Sequence, residues 1–136
     1  MKYQAKLTNT GGRDGVTKTL DGKTTFNIVP PQDGAQKDGT FNPELLVAAA
    51  AVSCYNGALL HHLKEAGKST DGVSVEIEIE LVEDERDKEN MLSMTLKPKA
   101  PHLSQEELKH FSAEADRTCP YTKLFRGEAA YRVVHE

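Results

Sequence analysis

Two cysteines are the only thiols in this chain of 136 residues, and their surroundings differ. Cys54 lies in the apolar run "VAAAAVSCYNGALL", whereas Cys119 lies in the polar segment "RTCPYTKLFRG" beside Pro120. Because a thiolate is a nucleophile and two adjacent thiols form a reversible disulfide, the pair is a candidate for redox chemistry. The simpler interpretation of Cys54 is a small buried hydrophobic residue, and one cysteine before a proline predicts chemistry only weakly.

Charged and titratable side chains offer further candidates. Arg13 lies in "GGRDG", where the glycines allow a tight turn from which the side chain projects, although a solvated surface arginine explains it equally well. Glu44 lies where a helix is predicted to begin, and the helix dipole alone accounts for an acidic residue there. His61 and His62 are adjacent and have neither a carboxylate nor a third ligand at metal spacing, so we expect no metal site.

Composition and charge limit the classes of partner. Hydrophobic residues make up 38% of the chain and the formal net charge is -4, with lysine and arginine scattered, which favours neither a nucleic acid nor an anionic membrane as partner. The chain opens "MKYQAKLTNT" without a signal-like pattern, and no apolar run approaches the roughly 20 residues that span a bilayer. We therefore expect one cytoplasmic domain over residues 1–136, with cysteines that are free or redox-active.

The first third of the chain predicts a small antiparallel sheet. Polar and apolar residues alternate over residues 2–8, as in a half-buried strand, until "TGGRDG" ends the pattern. Asp21 and Gly22 suit a two-residue type I′ turn between the strands "VTKTL" and "KTTFNIV". Pro30, Pro31 and "QDGAQKDG" then predict a loop.

The segment "FNPELLVAAAAVSCYNGALLHHLKEAGK" predicts a long helix. Asn42 is a suitable N-cap, Pro43 fits the first helical position, and Gly67 is suited to end the helix. From Leu45 to Leu60 the helix is apolar on nearly every side and rich in alanine. We therefore expect it to be central, with other elements packed on more than one side of it.

The second half of the chain predicts a hairpin, a helix and a last strand. "VSVEIEIEL" at 73–81 alternates without exception, and "MLSMTLKP" is its predicted partner. "HLSQEELKHFSAEADRTC" predicts a helix that begins with a capping box of Ser104 and Glu107 and is interrupted at Pro120. The tail "EAAYRVVHE" predicts the strand. The predicted order is β-β-β-α-β-β-α-β, an α+β fold.

Three of these segments carry a resemblance when they are taken together. "TGGRDG", then "NPELLVAAAAVSC" and then "CPYTKLFRG" resemble, in order and spacing, the OsmC/Ohr family of thiol-dependent peroxidases over nearly the whole chain. The "GGRDG" and "CPY" motifs favour the organic hydroperoxide resistance (Ohr) branch over the OsmC branch. The resemblance implies an intertwined homodimer in which antiparallel sheets surround a central apolar helix.

The resemblance also implies a role for each candidate residue. Cys54 becomes the peroxidatic thiol, Cys119 the resolving thiol, and Arg13 with Glu44 the polar pair that activates Cys54. The implied reaction reduces an organic hydroperoxide to an alcohol through a Cys54 sulfenic acid and a disulfide with Cys119. An external dithiol, of lipoyl type by the resemblance, would reduce the disulfide, and no metal or organic prosthetic group would be required.

The separation of Glu44 from Cys54 along the predicted helix limits which thiol the activating pair can reach. Ten residues separate Glu44 from Cys54, which in a continuous helix is roughly 15 Å, further than one arginine side chain bridges. Either the helix begins after Asn42, or Glu44 and Arg13 reach the cysteine of a second subunit across antiparallel central helices. The second alternative also explains a helix that is apolar on nearly every side, and it predicts a homodimer with two shared sites.

The chain also departs from the family pattern. Ohr proteins commonly have glutamine and phenylalanine around Leu45 and Val47, and small residues followed by Thr-Arg-Gly-Asn where this chain has "KLFRGE". An apolar wall for an alkyl or fatty-acid hydroperoxide is expected from five side chains. These are Val47, Ala50, Ala51, Tyr55 and Phe125.

Two alternatives to an Ohr enzyme remain open. One is an OsmC-type peroxidase that uses a broader range of peroxides. The other is a noncatalytic binder of hydrophobic ligands, or a redox sensor, that uses the same pocket and disulfide. Arg13 and Glu44 favour an enzyme, because a simple binding pocket does not need a pair that activates a thiolate.

Overall fold

The computed structural model describes residues 2–135 and confirms the α+β class, with one three-stranded and one two-stranded antiparallel sheet. The described elements, in chain order, are β1 (Leu7–Thr10), β2 (Gly15–Thr19), β3 (Thr25–Ile28), α1 (Pro43–Glu65), β4 (Ser74–Glu83), β5 (Asn90–Lys99), α2 (Gln105–Thr118) and α3 (Pro120–Phe125). The chain divides into two compact units between Val47 and Ala48, a boundary inside α1. The single domain over residues 1–136 stays a prediction.

The first unit contains the sheet β1-β2-β3, in which neighbouring strands are antiparallel. The turn from β1 to β2 depends on glycine: Gly11 and Gly12 have φ of 87° and 63°, and a Cβ at Gly15 would collide with the carbonyl oxygen of Thr10. The Asn9 side chain closes the turn, since its Oδ1 accepts from the Gly12 N–H at 3.0 Å. The turn therefore has a defined shape from which the next side chain projects.

Two sequence predictions in this sheet are wrong in detail. The strand predicted over residues 2–8 begins only at Leu7, because β2 ends at Thr19 and leaves most of the preceding segment without a partner. The hairpin between β2 and β3 has a loop of residues 20–24 rather than a two-residue type I′ turn. Asp21 Oδ1 accepts from the Thr19 hydroxyl at 2.7 Å and from the Lys23 N–H at 3.0 Å, so an aspartate-centred turn replaces it.

Helix α1 begins and ends where its caps predict. Asn42 Oδ1 accepts from the Leu45 N–H at 2.7 Å, Pro43 is the first helical residue, and Gly67 follows the last turn with φ of 70°. The helix is continuous over 23 residues. The alternative in which it begins well after Asn42 is therefore wrong.

Helix α1 is also long and apolar enough to span a membrane, by length and composition alone. This corrects the expectation that no apolar run approaches that length, because Ser53, Asn56 and Gly57 lower the hydropathy of the helix too little to interrupt it. Core helices of soluble proteins meet the same criteria.

In the second unit, β4 and β5 form the predicted hairpin, with Ser74 opposite Lys99. The alternating residues of β4 are half-buried from Val75 to Ile79, whereas Leu81 is exposed. The capping box is confirmed: the Ser104 hydroxyl accepts from the Glu107 N–H at 3.1 Å, and the Glu107 carboxylate accepts from the Ser104 N–H at 3.0 Å.

The core of this unit lies between α1 and α2. Leu59 and Leu63 of α1 and Ala115 of α2 are fully buried, and Tyr55 donates its hydroxyl hydrogen to the Ser112 carbonyl at 2.9 Å. The buried cluster consists of Tyr55, Leu59, Leu63, Phe111, Ala115 and Cys119. One of the two candidate thiols is thus part of the hydrophobic core.

The C-terminal region departs from the sequence prediction. Pro120 begins a further short helix, α3, and the tail that was expected to be a strand forms none within the described residues 126–135. Tyr131, Val133 and Val134 are 85%, 67% and 73% exposed. Alternation alone does not make a strand, because a strand needs an adjacent edge with which to form hydrogen bonds. Glu136 lies outside the described residues.

Candidate active site

The structure brings the two thiols into contact. The sulfurs of Cys54 and Cys119 lie 3.4 Å apart, within hydrogen-bonding distance, although 65 positions separate the residues in the chain. Both cysteines are free; Cys119 is fully buried and Cys54 is partly buried. Since a disulfide brings the sulfurs to about 2.05 Å, a small local shift is enough to form the bridge.

Pro120 explains how Cys119 is placed. A residue before proline is kept out of the helical region, and Cys119 has φ of -65° and ψ of 122°. Its N–H donates to the Ala115 carbonyl at 2.9 Å, and its own carbonyl accepts from the Lys123 N–H at 3.1 Å. Cys119 therefore ends α2 and begins α3, and the turn directs its side chain to α1.

The environment of the pair shifts the two thiol pKa values in opposite directions. Burial, and then the adjacent Cys119, raise the pKa of Cys54. Burial also opposes ionisation of Cys119, but the backbone and hydroxyl of Thr122, the Cys54 thiol and the backbone of Tyr121 together outweigh it and lower its pKa. Within residues 48–135, no cation is among the groups that shift the pKa of Cys54. A thiolate on Cys54 therefore needs a positive charge from elsewhere.

A hydrogen-bonded pair of side chains holds α2 to α1 immediately before Cys119. The Thr118 hydroxyl donates to the Glu114 carbonyl at 2.9 Å, and its oxygen lies 2.8 Å from His62 Nε2. The sequence carried no signal for this contact, which joins residues 56 positions apart.

Arg13 and Glu44 form the second pair that the sequence predicted. Arg13 Nη2 donates to Glu44 Oε1 at 2.7 Å and Nη1 donates to Oε2 at 3.1 Å, a two-pronged bond between guanidinium and carboxylate. This bond lowers the pKa of Glu44 and raises that of Arg13. The glycine turn and the first turn of α1 thus present an ionised pair, while its role towards a thiol stays a prediction.

A cavity of about 300 Å³ lies beside the thiol pair in the second unit. Three of the five predicted wall residues line it, namely Ala51, Tyr55 and Phe125, whereas Val47 and Ala50 are not among its described lining residues. The sequence did not single out the other five, which are Met94, Leu96, Asp116, Tyr121 and Thr122. The half-buried positions of Met94 and Leu96, which alternate along β5, are the signal that could have found two of them.

These features define an α+β protein with a preformed pair of adjacent thiols. The family model described as "OsmC-like protein" matches residues 35–133. An organic hydroperoxide resistance protein-like 1 of Staphylococcus saprophyticus is 38% identical over 93% of this chain and 90% of that protein. The organic hydroperoxide resistance protein OhrB of Bacillus subtilis is 36% identical over 92% of this chain and 91% of that protein.

Solved structures agree with these sequence matches. The crystal structure of OhrB of Bacillus subtilis matches with a TM-score of 0.80 at 35% identity, covering 93% of both chains. A putative organic hydroperoxide resistance protein from Vibrio cholerae matches with a TM-score of 0.81 at 28% identity, covering 93% of this chain and 87% of that one. The chain belongs to the OsmC-like family, and its resemblance to the Ohr branch is confirmed. Helix α1 is then the core helix of a soluble fold.

Proposed function

We propose that this protein is a cysteine-based peroxidase that reduces organic hydroperoxides to alcohols. The observation that carries the proposal is the 3.4 Å approach of the Cys54 and Cys119 sulfurs, with Cys119 fully buried, in a chain similar to organic hydroperoxide resistance proteins. A purely structural cysteine would need neither a second thiol in contact nor a turn that is shaped to hold it there.

The first step is attack by the Cys54 thiolate on a hydroperoxide, ROOH. The sulfur bonds to the terminal oxygen, the O–O bond breaks, and the departing alkoxide takes a proton to become the alcohol ROH. Cys54 is oxidised to a sulfenic acid, Cys–S–OH. The thiol of Cys119 then attacks this sulfur, and a disulfide and one water molecule are formed.

An external dithiol completes the cycle. Its two thiols reduce the Cys54–Cys119 disulfide by exchange and become a disulfide themselves, so that both cysteines return to the thiol state. We propose a lipoyl-type dithiol as the reductant, no resident metal or organic cofactor, and the reducing cytoplasm as the location, since the thiols must be regenerated in each cycle.

Arg13 and Glu44 would supply the charge that Cys54 lacks. An arginine keeps its charge at any accessible pH, so a guanidinium beside the sulfur would stabilise the thiolate, while Glu44 would hold the guanidinium in place. The two-pronged contact between the side chains, at 2.7 and 3.1 Å, supports this role because it holds the guanidinium in one orientation.

We propose that this pair serves the thiol of a second subunit. Because α1 runs unbroken from Pro43 to Glu65, Glu44 and Cys54 are separated by about 15 Å along its axis. Only 22% of the apolar stretch of α1 is buried within one chain, which leaves apolar surface for a partner to cover. An intertwined homodimer with two shared sites would satisfy both observations.

The cavity of about 300 Å³ beside the thiols would hold the organic part of the substrate. Ala51, Tyr55, Leu96 and Phe125 give it an apolar wall, which suits an alkyl or fatty-acid hydroperoxide better than hydrogen peroxide. An OsmC-type enzyme would show less preference between these substrates.

Peroxide consumption by three proteins tests the proposal. Wild type, Cys54→Ser and Cys119→Ser are incubated with tert-butyl hydroperoxide or hydrogen peroxide, with dihydrolipoamide as the reductant. We expect turnover by wild type with a preference for the organic peroxide. Cys54→Ser should lose consumption altogether, and Cys119→Ser should react once and then accumulate oxidised Cys54.

Two results would contradict these assignments. If wild type consumes no peroxide with any dithiol but forms the disulfide once, the protein is a redox sensor rather than an enzyme. If Cys54→Ser keeps full activity, the roles of the two cysteines are wrong even where peroxidase activity is present.

A further inference from the structure

Arg126 joins the end of α3 to the end of α2. Its Nη1 donates to Asp116 Oδ2 at 2.8 Å and its Nη2 to the Asp116 backbone carbonyl at 3.2 Å. The other edge of the guanidinium faces Glu128, with Nε donating to Oε2 at 3.2 Å and Nη2 to Oε1 at 3.4 Å. One side chain therefore makes four hydrogen bonds to two residues.

These bonds close a loop around the resolving cysteine. Asp116 precedes Cys119 by three positions and Arg126 follows it by seven, so their contact brackets the whole turn from α2 to α3. Within residues 105–128, Arg126 is the only residue after Cys119 whose side chain hydrogen-bonds to α2. The Arg126 N–H also donates to the Thr122 carbonyl at 3.0 Å, which fixes its own position.

A network of this kind restrains the groups it joins more strongly than a single ion pair on the surface does. A single exposed pair contributes little, but an arginine bound to a carboxylate, a backbone carbonyl and a second carboxylate together is an exception. The Arg126 side chain is only 38% exposed. Arg117, by contrast, is 66% exposed and bonds to Glu114 within the same helix, so it closes no turn.

We propose that Arg126 is a positioning residue that keeps the Cys119 thiol docked against Cys54 and so speeds disulfide formation. This inference rests on the peroxidase function proposed above. The step it favours is Cys54–S–OH plus H–S–Cys119, which gives the disulfide and water. The step it competes with is attack of Cys54–S–OH on a second ROOH, which gives Cys54 sulfinic acid and ROH.

The physical reason is the effective concentration of the resolving thiol. In the bracketed turn Cys119 is held 3.4 Å from its target, and releasing the far end of α3 would let the turn sample positions in which the sulfurs are apart. Loss of an anchoring network of this size should lower the equilibrium constant for docking by about fivefold, and the docked population by up to that factor. Because Asp116 and Phe125 line the cavity beside the thiols, consumption of the first equivalent of hydroperoxide is measured in the same variants, which separates an effect on attack by Cys54 from an effect on disulfide formation.

The test compares Arg126→Gln with the matched control Arg117→Gln. Each protein is cycled with tert-butyl hydroperoxide and dihydrolipoamide, and the sulfinic acid formed at Cys54 per turnover is measured by mass spectrometry. We expect more sulfinic acid in Arg126→Gln than in wild type, by up to about fivefold, with no change in Arg117→Gln. Arg126→Lys should be intermediate, since lysine keeps the charge but not the two-sided geometry.

A second measurement does not depend on peroxide chemistry. The equilibrium between the Cys54–Cys119 disulfide and dithiothreitol reports the same effective concentration, and the disulfide should be easier to reduce in Arg126→Gln, by up to about fivefold. If Arg126→Gln equals wild type in both measurements, the inference is overturned. If wild type forms no disulfide with any hydroperoxide, the proposed function fails instead. The dithiothreitol equilibrium still tests whether the Asp116–Arg126 contact positions Cys119.

A milder variant protects the test against a folding defect. Glu128→Gln removes one carboxylate and leaves the Asp116 bonds in place, so it should shift both measurements in the same direction by a smaller factor. Thermal melting of each variant is recorded alongside. A variant that melts like wild type but converts the Cys54 sulfenic acid to the disulfide more slowly supports a positioning role. Equal conversion in all variants contradicts it.

Discussion

The two compact units of the chain bury their side chains to very different extents. Among the described residues 2–47, Ile28 is the only buried one, whereas residues 48–135 contain a six-membered buried cluster that includes Cys119. The first unit presents the Arg13–Glu44 pair with the guanidinium exposed to solvent, and the second encloses the thiols. Charges are stable in water and a reactive sulfur is best shielded from it, so each pair occupies the environment that suits it.

This separation has a consequence for ionisation. Burial in the second unit raises the pKa of Cys54, which is the reverse of what a peroxidatic thiol needs, while the first unit holds Glu44 ionised beside Arg13. Neither unit is sufficient for the proposed chemistry. We therefore predict that activity requires a dimer, in which the Arg13–Glu44 pair of one subunit approaches the Cys54–Cys119 pair of the other.

The largest effect is expected from mixing two inactive proteins. Cys54→Ser and Arg13→Ala should each lose at least about 100-fold in peroxide turnover, because one lacks the nucleophile and the other lacks the charge that ionises it. In a mixed dimer, one of the two shared sites has an intact Cys54 and an intact Arg13. Refolding the two proteins together in equal amounts should restore about a quarter of wild-type activity.

The same mixture without refolding is the control, since subunits that do not exchange remain inactive. Activity that never exceeds the sum of the two separate proteins would exclude shared sites. In that event Arg13 would act within its own chain or not at all, and the contrast between the two units would have no catalytic meaning.

The sequence predicts the parts of this arrangement that are local. Asn42 and Pro43 at the start of α1, and the Ser104–Glu107 capping box, depend on neighbours within four positions, and the structure confirms both. The 3.4 Å contact between the thiols was implied by the family resemblance and could not be calculated from spacing.

The failures in the C-terminal tail and before β1 share one physical cause, which is dependence on distant partners. The tail containing Tyr131 and Val133 has the alternation of a strand but no edge to pair with in one chain, and the segment before Leu7 extends past the end of β2. The Asp116–Arg126 ion pair likewise joins two elements that only the fold brings together. The periodicity of a segment identifies its apolar face but does not identify the element that packs against that face.

The second prediction concerns stability. Leu59 is fully buried in the second unit, so Leu59→Ala should lower the free energy of unfolding by about 2–5 kcal/mol. Leu20 in the first unit is 62% exposed, and Leu20→Ala should change it by less than about 0.5 kcal/mol. Urea unfolding at two protein concentrations measures both. If Leu20→Ala were as destabilising as Leu59→Ala, the first unit would be better covered than one chain indicates, and a concentration-dependent loss would place Leu20 at a subunit interface.

The smallest effect distinguishes two carboxylates with the same local setting. Glu44 and Glu107 each lie in the first turn of a helix and each bind a cation, Arg13 or Lys68, with closest contacts of 2.7 Å. The hydrogen bond from Lys68, followed by that from the Ser104 N–H, lowers the pKa of Glu107 to about 2. A depressed pKa contributes stability above the unfolded value of about 4.5 that is lost as the pH falls through about 2.

Glu107→Gln keeps the capping geometry but removes this charge, so its stability should be lower than that of wild type at pH 7 and the difference should disappear towards pH 2. Peroxide turnover should not change, because Glu107 lies away from the thiols at the start of α2. Glu44→Gln should reduce turnover instead, by weakening the hold on Arg13. Equal turnover in the two variants would mean that the Arg13–Glu44 pair, like the Lys68–Glu107 pair, is only structural.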